Sequence, residues 1–227
     1  MSSKDFELGK QIQQLLIENG LENPIVSKNI AKWCEVPHTS EMSNKFAEFL
    51  QLLGMDLTDS SLMKTPSRVV KFFINELFYG LDYKNFPRIS TNINTFNYNS
   101  PLISTGITIN STCEHHLVAI NGSAIIAYIP GKKFVGLSKL NRVVDFFARR
   151  PQVQERMTKQ IFITLQNVLE TQDVAVAINA THNCIVIRGV KDAATENLTL
   201  EMGGKFLEDS VLKTSFYNKA LSIQTED

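Results

Sequence analysis

Cys113-Glu114-His115-His116 and His182-Asn183-Cys184 hold two of the chain's three cysteines and three of its four histidines. Two thiolates and one imidazole form a soft-donor set suited to zinc. Three protein ligands leave a coordination position open, the pattern of a catalytic rather than a structural site. Cys113 and His116 are three apart, which does not suit one face of a strand, so a turn or bulge has to bring them together. His182 and Cys184 are two apart in a strand-like stretch and are expected to face the same way. The long gap between the two pieces means that folding, not local sequence, assembles the site. The competing reading makes Cys113 and Cys184 small buried apolar residues, with the histidines satisfied in the core. Cys34, in a different context, is read as a core residue. His115 and His182 flank the set, and imidazoles that titrate near neutrality suit proton transfer as well as simple support.

Cationic side chains suggest an anion. Ser138 is expected to cap a helix whose first turns carry Lys139 and Arg142, three apart on one face, near unpaired N–H groups. Arg188 follows Cys184 by four residues, and Arg68 opens another helix. Such a set suits a triphosphate through forked guanidinium contacts, although solvated surface charge is an equal reading for any one of them. Gln154-Glu155 sits in the first turns of a long helix expected after Pro151. A carboxylate there can accept both the N1–H and the amino N–H of guanine, but an exposed acidic helix start is common, and spacing alone favours that plainer reading.

The elements that must position these residues begin with an amphipathic helix over Phe6 to Ile17, ended by Asn19-Gly20. A less regular connection follows to Pro37-His38. A second helix is expected from Ser40, with Phe46, Phe49, Leu50 and Leu53 inward and Gly54 as its stop. Thr65-Pro66 reads as N-cap and first helical position of a third helix. From Arg88 to Ile129 the pattern is β-branched and alternating, with turns expected at Asn121-Gly122 and Pro130-Gly131. Helices are expected over Lys139 to Arg149 and Gln152 to Glu170, a strand over Asp173 to Ile187, and a final helix over Leu207 to Leu221. The fold class is therefore α+β, with a helical N-terminal arm over 1–60 and a catalytic domain over 61–227.

Composition is that of an ordinary globular protein, 43% hydrophobic and 20% charged. A formal net charge of zero argues against nucleic-acid or anionic-membrane binding driven by a global field. The N-terminal residues do not read as a signal peptide, and no apolar run approaches the roughly 18 residues of a membrane span. Three cysteines do not suggest a disulfide framework, so a reducing cytoplasm is the expected setting.

Several separate motifs, in order, resemble the GTP cyclohydrolase I family: Ser111-Thr112-Cys113-Glu114-His115-His116, Gly136-Leu137-Ser138-Lys139-Leu140-Asn141-Arg142, Arg149-Arg150-Pro151-Gln152-Val153-Gln154-Glu155-Arg156, and His182-Asn183-Cys184 with Arg188-Gly189-Val190. The resemblance runs from about Phe46 to Phe206. It implies zinc bound by Cys113, His116 and Cys184, proton transfer by His115 and His182, and guanine held by Glu155 with help from Gln154. Arg68, Ser138, Lys139, Arg142 and Arg188 would surround the triphosphate. The implied fold is the tunnelling fold, an antiparallel four-stranded sheet backed by two helices. Its subunits would form a toroidal homodecamer with active sites between neighbours. The implied reaction converts GTP and water to 7,8-dihydroneopterin triphosphate and formate, at the entry to tetrahydrofolate biosynthesis. One departure is the stretch 192–199, thinner in hydroxyls than the family's Ser/Thr-rich run.

Two rival readings exist. A related tunnelling-fold enzyme, reducing a nitrile-bearing purine analogue with NADPH, would need neither the Cys-Glu-His-His set nor the cation cluster. A zinc-stabilised interaction module would not need His115, His182 and Glu155 together.

Overall fold

The computed structural model describes residues 3–222. The first helix, α1 (Phe6–Glu18), starts after Asp5, whose carboxylate accepts the Leu8 N–H at 3.1 Å. Ile12 and Leu16, four apart and fully buried, join the main core, so this helix packs on the body of the protein. A short helix, α2 (Ser27–Ile30), lies within the stretch expected to be irregular, and Cys34 just after it, expected in the core, is exposed because the stretch runs over the surface. The next, α3 (Val36–Leu52), begins before the expected Ser40. Pro37 occupies its first turn, where a missing N–H costs nothing. Gly54 ends the segment at φ +86°. Of the residues expected inward, Leu50 is buried, but Phe49 and Leu53 are exposed, because α3 packs chiefly against the short α4 (Thr65–Phe72). Thr65 is the first residue of α4 rather than its N-cap, a position held by Lys64 without a side-chain bond. On α4, Val70 is buried and Phe72 is exposed.

Strand β1 (Thr91–Ile93) pairs with β4 (Lys133–Val135) as a small separate ribbon. The main antiparallel strands are β2 (Leu102–Cys113), β3 (Ala119–Tyr128), β6 (Val174–His182) and β7 (Asn197–Met202). A two-residue β5 (Pro151–Gln152) adds a parallel edge beside Thr112 and Cys113, giving the order β5-β2-β3-β6-β7. The expected four antiparallel strands are present, then, with this fifth added. The expected turn at Asn121-Gly122 is not: both residues lie inside β3. A Cβ on Gly122 would stand 2.1 Å from the Asn179 carbonyl oxygen, so this glycine permits close strand approach instead of a turn.

Helices α5 (Leu137–Ala148) and α6 (Gln154–Leu169) cover one face of the sheet. Gly136, not Ser138, is the N-cap of α5, and Ser138 makes no capping bond there. The short α7 (Asn183–Val186) follows β6 directly. Beyond β7, α8 (Lys205–Glu208) and α9 (Ser210–Leu221) replace one expected helix. Asp209 separates them because its carboxylate caps α9 through the Val211 and Leu212 N–H groups.

Strand alternation feeds two cores. Ala124, Ile126 and Tyr128 of β3 and Val174, Val176 and Ile178 of β6 face α5 and α6. Ile125, Ala127, Ala175 and Ala177 face the other way, against Phe206, Phe216 and Ala220. Each large side chain fully buried this way contributes about 1.5–3 kcal/mol. No helix among the described residues is long and apolar enough to cross a membrane. The acidic end, Thr225-Glu226-Asp227, lies outside the described residues.

Candidate metal centre

The turn that joins β2 to β3 is the Cys113-Glu114-His115-His116 segment itself. It is closed by the Leu117 N–H donating to Cys113 O and the Cys113 N–H donating to Val118 O, both at 2.8 Å. Leu117 takes a left-handed conformation at φ +54°, a strained position for a residue with a Cβ. That tight turn solves the three-residue spacing, and the Nδ1 atoms of His115 and His116 lie 3.9 and 4.0 Å from Cys113 Sγ.

The β3–β6 register sets Ile120 opposite His182, which carries the chain just beyond His182 to the same end of the sheet as the turn. There it enters α7, so Cys184 sits on a helical turn and not, as its spacing suggested, on a strand with His182. Even so, one ligand atom each from Cys113, His116 and Cys184 lie within 4.8 Å of one another. His115, although equally near Cys113, is not in that group. Ligand atoms around a tetrahedral zinc stand roughly 3.3–3.8 Å apart, from bonds of about 2.3 Å to sulfur and 2.0 Å to nitrogen. A small contraction therefore seats an ion, and the soft donor set fits zinc. Burial, followed by the neighbouring Cys113 thiol, pushes the Cys184 thiol pKa up. A bound cation would reverse that by stabilising the thiolate.

Arg188 reaches the site as well, its guanidinium against His116 Nε2. It does so from just beyond α7, not from the strand that its spacing of four from Cys184 suggested. His182 Nε2 lies 2.7 Å from Gln154 Oε1. Half-burial holds the His182 pKa below its ordinary value, and the Glu155 charge opposes that shift. The Gln154 amide nitrogen donates to Ile178 O at 3.0 Å, Asn197 O at 2.7 Å and Thr199 Oγ1 at 3.1 Å. Its side chain is buried and fully engaged inside the protein, while Glu155 beside it is exposed in the first turn of α6.

Other expected anion contacts sit on two helices. Arg68, Ser138 and Arg142 are exposed on α4 and α5, and Lys139 is half-buried. Arg142 lines a cleft of about 620 Å³ with Lys4, Trp33 and Tyr79, and that cleft includes none of the metal-set residues. Two charged residues of the site received no role from sequence. Glu114, between the expected ligands, pairs with Arg156 of α6, and its second oxygen stands 3.9 Å from His115 Nε2. Their presence inside two of the quoted motifs was the only signal.

Comparison with known proteins gives a consistent picture. Residues 42–220 match the sequence profile of the family described as GTP cyclohydrolase I. A GTP cyclohydrolase 1 of Photobacterium profundum is 47% identical over 212 residues, 93% of this chain and 96% of the relative. That of Vibrio campbellii is 46% identical over 92% of this chain and 95% of its own length. That of Shewanella loihica is 43% identical over 92% and 97%.

Proposed function

We propose that this chain, which belongs to the GTP cyclohydrolase I family, converts GTP and water to 7,8-dihydroneopterin triphosphate and formate with the help of zinc. The observation that carries the reading is the grouping of Cys113, His116 and Cys184 at the end of the sheet, with His182 held nearby by Gln154. Zinc held by those three residues supplies Lewis acidity toward water and the purine at C8.

The chain's own residues do the rest. Glu155, exposed at the helix start, accepts the N1–H and amino N–H of guanine, a pair that adenine does not offer. Gln154 contributes to that recognition by fixing the wall beside it, since its amide is already engaged. His182 and His115 move protons as the imidazole ring opens, formate departs and the ribose carbons rearrange before closing the new ring. Arg188 acts next to the metal group. Arg68, Ser138, Lys139 and Arg142 grip the triphosphate and keep the base in place through these steps.

Placement of Arg142 on a cleft that includes none of the metal-set residues fits a site completed by a neighbouring subunit, as in a toroidal homodecamer. Exposed Phe49, Leu52, Leu53 and Phe72 supply apolar surface suited to such assembly. A reducing, cytoplasmic setting suits its free cysteines, and the product would enter tetrahydrofolate synthesis.

Zinc-replete protein is expected to release formate from GTP and to accumulate a pterin that fluoresces after oxidation. A folded, zinc-loaded sample that leaves GTP unchanged refutes the reading. Cys113→Ser distinguishes it from a structural zinc module. An enzyme loses turnover and stays folded, whereas a module unfolds.

A further inference from the structure

Beside the metal group, a chain of polar side chains leads away from the Cys-Glu-His-His turn into the protein. Glu114 pairs with the Arg156 guanidinium. Arg156 Nε donates to Gln152 Oε1 at 3.3 Å, so this one side chain spans two acceptors. The Glu114 N–H also donates to Gln152 O at 3.0 Å. Gln152 is buried, its amide donating to Phe147 O and Gln160 Oε1, both at 2.8 Å, and its oxygen accepts from Asn23 Nδ2 at 3.4 Å. Asn23 in turn donates to Pro151 O at 2.7 Å and accepts from Arg150 and Gln160.

The ligand turn is strained at Leu117; its own closing hydrogen bonds lie within the turn, and outside it the contacts are Arg188 on His116 and the β5 edge beside Cys113. His115, His116 and Leu117 are all exposed. A segment of this kind keeps its ligands in position only if something outside the ligand set holds it, and loss of such outer contacts weakens metal sites. We infer that Glu114 and Arg156 are positioning residues, a clamp that holds the turn carrying Cys113 and His116 in metal-binding geometry and is itself fixed through Gln152 and Asn23. The inference rests on the zinc reading given above.

Arg156 is suited to the role by shape as well as charge. Its Nε and terminal nitrogen serve two different acceptors, which a lysine ammonium on a flexible stem cannot reproduce in fixed geometry. Arg156→Lys therefore separates positioning from a through-space charge effect, because it keeps the charge and loses the fork.

The test is zinc affinity measured by competition with a chromogenic chelator on the full chain. Thermal unfolding of the same metal-free samples monitors the fold. Glu114→Gln, Arg156→Met and Arg156→Lys are each expected to bind zinc about 10- to 100-fold more weakly than wild type. The double variant Glu114→Gln/Arg156→Met should bind no more weakly than the worse single variant, because each change breaks the same link. Wild-type affinity in Arg156→Lys overturns the positioning role, and so do losses that add in the double variant. Wild-type protein that binds no zinc overturns the metal reading itself, so the two failures are told apart within one titration series.

Discussion

His182 Nε2 lies 2.7 Å from the side-chain oxygen of Gln154, whose amide nitrogen is committed to three other acceptors. Those donations fix which end of the amide faces His182, so Gln154 presents an acceptor. That contact calls for a proton on Nε2, which in the neutral ring makes Nδ1 the basic nitrogen.

Replacing Gln154 by alanine removes that orientation and strips donors from two backbone carbonyls. Stability is expected to fall by about 1–3 kcal/mol, read from urea unfolding. kcat should fall about 10- to 100-fold, a share of what general acid–base catalysis contributes. KM should change less. A rise in KM with kcat intact would instead assign Gln154 a direct hydrogen bond to guanine.

Removal of the metal is expected to expose the two thiolate ligands to each other. Cys113 and Cys184 offer sulfurs no more than 4.8 Å apart, from a strand end and a short helical turn. In a Cys34→Ser background, chelated protein under air should lose both remaining thiols to an intramolecular disulfide, followed by thiol titration and mass spectrometry. Reduction should restore zinc binding. Persistence of two free thiols after prolonged aeration would refute the expectation.

Arg150 is fully buried, with Glu22 at 3.6 Å and the rings of Tyr83, Phe146 and Phe147 within 4.8–5.2 Å of its guanidinium carbon. Glu22→Gln leaves that charge without its ionic partner and should cost about 3–5 kcal/mol in denaturant unfolding. Arg150→Met combined with Glu22→Gln should cost clearly less than the sum of the two single changes, since the double variant buries no unpaired ion.

Alkaline pH should unfold the protein through its tyrosines. Burial raises the pKa values of Tyr79, Tyr83 and Tyr128, with Asp145 adding to the effect at Tyr79. The fold therefore favours their neutral forms. The stability this contributes is complete below the ordinary tyrosine pKa of about 10 and is lost as pH rises from there toward the higher folded values. Tyrosinate absorbance should show three of the five tyrosines ionising together with the loss of circular dichroism. Ionisation of all five ahead of unfolding would contradict this.

Much of the fold was legible in the chain's periodicity. The apolar spacing of α1, α5 and α6 and the alternation of β2, β3 and β6 follow from which faces must leave water. Misreadings fell where a tertiary neighbour set the local choice. Gly122 looks like a turn glycine until the Asn179 backbone is seen against it. Phe49 and Leu53 look like core residues, yet too little of the chain packs over α3 to bury them.

By itself, the sequence determined the chemistry on offer: two thiols, three imidazoles, a carboxylate at a helix start and a set of guanidiniums, in motifs specific enough to indicate the family. Ligand type is a property of side chains and needs no fold to be recognised. The tertiary structure decided which of those groups meet. The β3–β6 register brings Cys184 to the β2–β3 turn, and that turn selects His116 over His115 for the three-residue set. Packing of α6 against β6 and β7 gives Gln154 to His182, and Arg156 to Glu114 across the sheet end. These partners are distant in sequence, and only chain-wide burial of the two sheet faces supplies the free energy to hold them together.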